Sequence, residues 1–238
     1  MRKLAALTGV VAALSALPSA GFAQTTPAHS FTGNFSLVSE YRYRGIAQTD
    51  KKPALQGGFD YGHADGAYLG LWGSNVSWIA DAGGGSNSLE VDLYGGYKMS
   101  VGDIGLDFGA LHYNYPGTIT FDPKPNTTEL YVGASWKMLT LKYSQAVTDI
   151  FGFPDSKGST YVDLGASFDV GSGVTLGAHY GHQTIKNNAG CSYDDWKLGL
   201  SKDFAGLNLG LAYVGTNAGG CYGNLGKDTV VLSVTKTF

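Results

Sequence analysis

Charged side chains are scarce in this 238-residue chain, at 15% against about 25% in an average soluble domain. Methionine is limited to 3 residues and cysteine to 2. Sixteen basic residues against 19 acids leave a net charge of -3, which excludes the polybasic footprint that attracts nucleic acid. Beyond the N-terminus no run approaches the roughly 18 apolar residues that a membrane helix requires. Long helical periods and low-complexity linkers are also missing. Two thiols without clustered histidines argue against a metal centre, and nothing in the pattern asks for a cofactor.

Glycine is abundant, with 36 residues, and tyrosine reaches 15. The chain opens on Met1, Arg2 and Lys3, runs through "LAALTGVVAALSAL" to Pro18, and reaches small residues at Gly21 and Ala23. A basic start, an apolar stretch of medium length and a small-residue site read as a secretory signal peptide cleaved after Ala23. The expected division is a signal peptide over 1–23, a short periplasmic segment over 24–32 and one barrel domain over 33–238. An exported chain, poor in charge and without a second apolar span, fits a β-barrel of a bacterial outer membrane. Such strands carry apolar residues only at alternate positions.

Period-two alternation recurs along the chain. Leu89, Val91 and Leu93 alternate with Glu90, Asp92 and Tyr94, and Val230, Leu232 and Val234 repeat the pattern near the end. This is a strand signal. Expected strands cover 33–44, 53–62, 67–78, 88–99, 104–115, 128–138, 139–147, 159–170, 174–184, 193–202, 206–214 and 228–238. A soluble β-sandwich would alternate too, but here the connections alternate between long and short, with both chain ends on the short side. That regularity belongs to outer-membrane barrels. The expected fold class is all-β: a transmembrane antiparallel up-and-down barrel of about twelve strands, with short periplasmic turns and longer extracellular loops. Over 67–78, Leu69 and Leu71 compete with Tyr68, Trp72 and Trp78 for the lipid side, and the facing stays open.

The stretch "YRYRG" at 41–45 interleaves aromatics with cations, as single-strand nucleic-acid surfaces do. Export and net charge speak against that partner. On a barrel stave, period two sends Phe35, Leu37, Tyr41 and Tyr43 to lipid, and Glu40, Arg42 and Arg44 to the lumen. "SEYRYRGIAQTDKKPALQGGFDY", "WGSNVSW", "LEVDLYGGY", "DWKLGLSKD" and the closing "SVTKTF" together resemble the TorF porin family, also catalogued as the bacterial family Gcw_chp. The resemblance runs from about residue 32 to the end and is most specific over 41–61. It implies an outer-membrane channel and brings neither an established substrate nor a mapped site.

The inward parity collects a candidate pore lining: Glu40, Arg42, Arg44, Gln56, Asp60, Glu90, Asp92, Lys98, Asp107, Glu129, Lys137, Lys142, Asp163, His179, Asp195 and Lys197, with Asn208 beside them. A charge facing the bilayer midplane would cost about 2–4 kcal/mol, so parity is a strong constraint. The lining reads either as acid–base pairs that hold a narrow barrel closed or as a water-filled path for small polar or charged solutes. Twelve strands lie between filled small barrels and open large ones. Tyr61, Tyr97, Trp136, Tyr143, Tyr180, Trp196 and Tyr213 read as an outer aromatic girdle, with few aromatics inward, chiefly Tyr94 and Tyr131.

Cys191 and Cys221 fall in two long outer loops, where an exported pair is expected to form a disulfide. His112 and His182 sit at lipid-facing parity without an evident serine nucleophile, so a lipid-modifying enzyme is the least favoured reading and no catalytic residue is expected. A closed barrel whose loops bind a partner stands between it and the channel. Outer-membrane lipid, small solutes and the barrel-assembly machinery, through the final strand ending at Phe238, are the expected partners.

Overall fold

The computed structural model describes residues 28–238. The expected signal peptide, and residues 24–27 of the segment after it, lie outside the described residues.

Strands β1 (His29–Val38), β2 (Arg42–Tyr43), β3 (Ile46–Ala47), β4 (Ala54–His63) and β5 (Ala67–Asn75) lead to the short helix α1 (Trp78–Asp81). Next come β6 (Leu89–Val101), β7 (Ile104–Asn114), β8 (Thr127–Trp136), β9 (Leu139–Ala146), β10 (Thr160–Gly171) and β11 (Val174–Thr184). The chain ends with β12 (Tyr193–Phe204), β13 (Leu207–Thr216), helix α2 (Gly219–Tyr222) and β14 (Thr229–Thr237). Twelve of these strands, all but β2 and β3, form one closed barrel in which each neighbour in sequence is a neighbour in space. Every pairing is antiparallel, and β1 meets β14 with Leu37 opposite Val234 and Phe35 opposite Lys236. Phe238 extends this seam, exchanging two backbone hydrogen bonds with Gly33 at 2.7 and 2.9 Å.

The alternation in the sequence separates cleanly onto two surfaces. Leu37, Leu93, Leu130, Leu164, Leu198 and Leu232 point outward and are each at least 50% exposed. A soluble monomer rarely shows an apolar surface that encircles it, whereas hydrocarbon requires one. The protein is an outer-membrane barrel. Tyr97, Trp136, Tyr143, Tyr180, Trp196 and Tyr213 stand on the same outer face. Leu69 and Leu71 face outward while Tyr68 and Trp72 pack inside, which fixes the facing of β5. Lys236, on the outer face near the turn end, donates to the Gly206 carbonyl at 2.9 Å; its long stem lets the charge reach the rim.

The buried core lies within the barrel, at its loop end. Tyr41, Tyr43, Tyr94, Tyr113, Tyr115 and Tyr131 belong to one buried cluster, joined by Ile79 of α1. The interior is therefore rich in aromatics, contrary to the expectation that few point inward. Glycine explains how they fit. Gly70 is the cross-strand partner of Tyr94 and Gly109 of Tyr131. A Cβ on Gly70 would lie 2.2 Å from the Tyr94 ring. The tyrosine rings lie flat across these bare positions, which ties the two abundant residue types to one packing device.

Two expectations about the wall are corrected. Strand β1 starts at His29, inside the segment assigned to the periplasm, and stops at Val38 rather than running to residue 44. Lys137 is not in the lumen: it occupies the tight turn after β8 with φ of 52°, and its ammonium lies 4.5 Å from the ring centroid of outward-facing Trp136. The period-two rhythm continues past the end of the strand, and the turn redirects the side chain.

The glycine–tyrosine packing predicts that Gly70→Ala destabilises the barrel by about 1–3 kcal/mol through overpacking. Gly220→Ala, in α2 with nothing near its Cβ position, should be neutral. Urea unfolding of both variants in detergent micelles checks this.

Candidate functional site in the barrel interior

Residues 39–53 join β1 to β4 and fold inward. Within them β2 and β3 pair as a small hairpin, Arg42 opposite Ala47 and Tyr43 opposite Ile46. Its two-residue turn is Arg44–Gly45, with φ of 46° and 78°, the positive values that tight hairpin turns favour. Gly45 also lies against the wall, where a Cβ would come within 2.7 Å of the Asp195 Cβ. The base of the loop is closed by local bonds. The Gln48 amide donates to the Tyr41 carbonyl at 2.8 Å, the Tyr41 amide to Thr49 Oγ1 at 3.1 Å, and the Lys51 amide to Glu40 Oε1 at 2.8 Å.

The tip is clamped to the barrel wall. Arg44 donates to both oxygens of Glu129 on β8, at 2.9 and 2.7 Å, and to Gln183 Oε1 on β11 at 2.7 Å. Its guanidinium carbon lies 4.1 Å from the ring centroid of Tyr161 and 4.9 Å from that of Tyr43. The pair is buried, with 7% and 2% of the two side chains exposed. Burial raises the cost of both charges, which only this bidentate geometry and its supporting bonds offset. Tyr43 and Tyr113 share a hydroxyl hydrogen bond, and Tyr113 donates to Glu129 at 3.1 Å. On the other side of the hairpin Tyr41 donates to Glu90 at 3.3 Å.

Arg42 ties the hairpin to the last loop instead. It pairs with Glu40 at 3.0 Å and donates to the carbonyls of Leu225 and Lys227 at 3.0 and 2.8 Å. That loop is stapled by the Cys191–Cys221 disulfide. Under the staple, Ile46 of the hairpin packs with Tyr193 and Ala218, against Tyr222 and Leu225. Burial raises the Tyr222 phenol above its ordinary value.

The wall carries further polar contacts, from the level of the hairpin toward the turn end. His179 faces Asp195 through Nε2 at 2.8 Å and Asp163 through Nδ1 at 3.2 Å, and Tyr161 donates to Asp195 at 2.8 Å. Tyr68 donates to Asp107 at 2.7 Å and Tyr94 to Asp60 at 2.6 Å. Lys98 lies 4.5 Å from the Tyr68 ring centroid, and Lys142 3.9 Å from that of Tyr131. Gln56 donates to Ser74 at 3.3 Å. Asp92 is buried on the same wall as Glu90. A small cavity of about 90 Å³ remains beside the hairpin, between Glu40, Arg42, Gln56 and Lys197. Among the described residues, no group of three or more His, Cys, Asp or Glu side chains is arranged to hold a metal ion.

Most residues of the expected lining thus face the interior. Glu40, Arg42 and Arg44 do so from an inner hairpin rather than from a stave, and Tyr41 and Tyr43 are buried inside with them instead of facing lipid. Tyr68, Trp72, Tyr113, Tyr161 and Gln183 are interior contacts that parity reasoning did not single out. His112 bonds Thr128 at 2.9 Å and His182 bonds Asp194 at 2.8 Å.

A family model described as "Bacterial protein of unknown function (Gcw_chp)" matches residues 22–238. No curated protein matches the chain. Among solved structures the fold is similar to the KdgM porin in complex with disordered oligogalacturonate, at 8% identity and a TM-score of 0.57, covering 87% of this chain and 99% of that one. It is also similar to the NanC porin, at 12% identity and a TM-score of 0.54 over 87% and 98% of the two chains. The Acinetobacter baumannii outer membrane protein Omp33 follows at 9% identity and 0.51, over 88% and 98%.

The buried clamp predicts asymmetric losses. Glu129→Ala strands the Arg44 charge and should cost about 3–5 kcal/mol, whereas Gln183→Ala removes one bond and should cost about 1–3 kcal/mol. Equilibrium unfolding of the two variants measures the difference.

Proposed function

From the premise that the chain belongs to the Gcw_chp family, we propose that it is a porin-like outer-membrane channel for small polar or charged solutes, narrowed by its own first loop. The observation that carries this reading is the inner wall. Lys98, Lys142, Asp163, His179 and Lys197 stand on its interior strands, and burying charges is costly for a barrel that needs only to stand in the membrane. A wetted path for solutes gives them a purpose. The KdgM porin, solved with oligogalacturonate, is a barrel of similar extent that takes a charged solute, and the resemblance of 41–61 to the TorF porin family agrees. In this reading Arg44, Glu129 and Tyr43 form the constriction, and Phe238 at the seam is the feature the barrel-assembly machinery recognises.

A second reading has its own observation in favour. The hairpin, α1 and the tyrosine cluster fill the loop end of the barrel, as they would in a closed barrel whose outer loops bind a partner. Neither His112 nor His182 has a serine hydroxyl partner among the described residues, so nothing favours lipid hydrolysis.

Conductance separates the two. The folded protein in planar bilayers should give small current steps. Arg44→Ala should enlarge them or lengthen the open time, because stranding the buried Glu129 charge, at a cost of about 3–5 kcal/mol, shifts the hairpin toward a displaced state. Silence of both proteins at every voltage would contradict the channel and support the closed barrel.

A further inference from the structure

We propose that the cavity beside the inner hairpin is a binding subsite for a small monocarboxylate anion, held by the Lys197 ammonium. This inference rests on the channel reading and names the class of solute that pauses in it. The cavity is lined by Glu40, Arg42, Gln56, Lys197, Ser201 and Ser233, among others. Three of its lining side chains are charged. Glu40 and Arg42 pair with each other at 3.0 Å, which leaves Lys197 as the charged side chain of the lining without a direct ion pair.

The carboxylates nearest in sequence and across the strands are already engaged. Asp195 accepts from Tyr161 at 2.8 Å and faces His179 at 2.8 Å. Asp163 faces the other His179 nitrogen at 3.2 Å. His179 is itself the direct cross-strand neighbour of Lys197, so it adds no negative charge to this wall. Lys197 forms no ion pair among the described residues. Asp163 and Asp195 attract it from beyond ion-pair distance while both bond His179; a part-buried ammonium without a direct partner is unfavourable, and an anion in the cavity offsets part of that cost. Ser201 and Ser233, on the inward faces of β12 and β14, place hydroxyls on the same cavity, and a hydroxyl donates to a carboxylate oxygen.

Size sets the upper bound. At about 30 Å³ for each water in the liquid, 90 Å³ corresponds to roughly three waters. A carboxylate of a few heavy atoms fits. A chain of sugar acids does not. The wall opposite the hairpin explains why the space exists: β12, β13, β14 and β1 present Gly199, Ser201, Gly210, Ala212, Ser233 and Ser36 inward, in place of the tyrosines that fill the β5 to β10 side.

Saturation-transfer NMR with sodium acetate, on the folded protein in detergent micelles, tests the site. Wild type should bind acetate, and Lys197→Gln should bind it about tenfold more weakly or worse, the loss of one charge-assisted hydrogen bond. Lys197→Arg should retain binding, and so should Lys202→Gln, on the outer face of the same strand. Retention by Lys197→Arg shows that loss in Lys197→Gln is not misfolding, and heat-modifiable gel mobility checks folding of each variant. Acetate binding that Lys197→Gln leaves unchanged, or no acetate binding by wild type, overturns the proposal. A conducting wild type that ignores acetate sinks the subsite alone. A protein that binds acetate through Lys197 but never conducts sinks the channel alone.

Discussion

No backbone amide can be left without a partner in hydrocarbon, and this single constraint organises the molecule. It forces β1 to meet β14, with Leu37 opposite Val234, and so closes the twelve strands that the sequence supplies into one circumference. The circumference in turn sets an interior between that of small barrels, which side chains fill, and that of large barrels, which stay open. Large rings laid over bare glycines, as Tyr94 lies over Gly70, fill one side of that interior. The inner hairpin fills much of what is left.

The hairpin is held at three places. Its tip is held by a buried ion pair between Arg44 and Glu129, its flank by Arg42 on the carbonyls of the last loop, and its base by hydrogen bonds within residues 39–53. The contacts differ in kind. The Arg44 clamp is costly to form and costly to break, which suits a closed arrangement that is all-or-none. The Arg42 contact couples the hairpin to a loop that the Cys191–Cys221 disulfide already restrains. Displacing the hairpin would therefore break the interior clamp and the contact with the last loop together.

The wall was legible in the sequence because period two and turn spacing are local properties. Strands such as 174–184 are found where alternation places them, and the two cysteines meet because no others compete. The hairpin was not legible for the same reason. Alternating Tyr41, Arg42, Tyr43 and Arg44 announces an extended segment with two faces, and says nothing of whether lipid or the lumen lies on the tyrosine side. Tyrosine suits either, since its ring is apolar and its hydroxyl finds Glu90 or Tyr113 inside as readily as water at an interface. One signal was present: Arg44–Gly45 is a two-residue turn ending in glycine, although arginine at its first position is a weak marker. Lys137 shows the complementary limit, since alternation continued two residues beyond the last paired position.

The account depends on residues 41–48 being folded structure inside the barrel rather than a loop above it. Amide hydrogen exchange of the folded protein in micelles or bilayers tests this most directly. The account predicts that the amides of Tyr41, Tyr43 and Gln48 exchange as slowly as those of the neighbouring barrel strands, and far more slowly than those of the exposed turn loop at 171–173. Exchange of residues 41–48 at the rate of that loop would contradict an inner hairpin, and with it the constriction on which the functional reading stands.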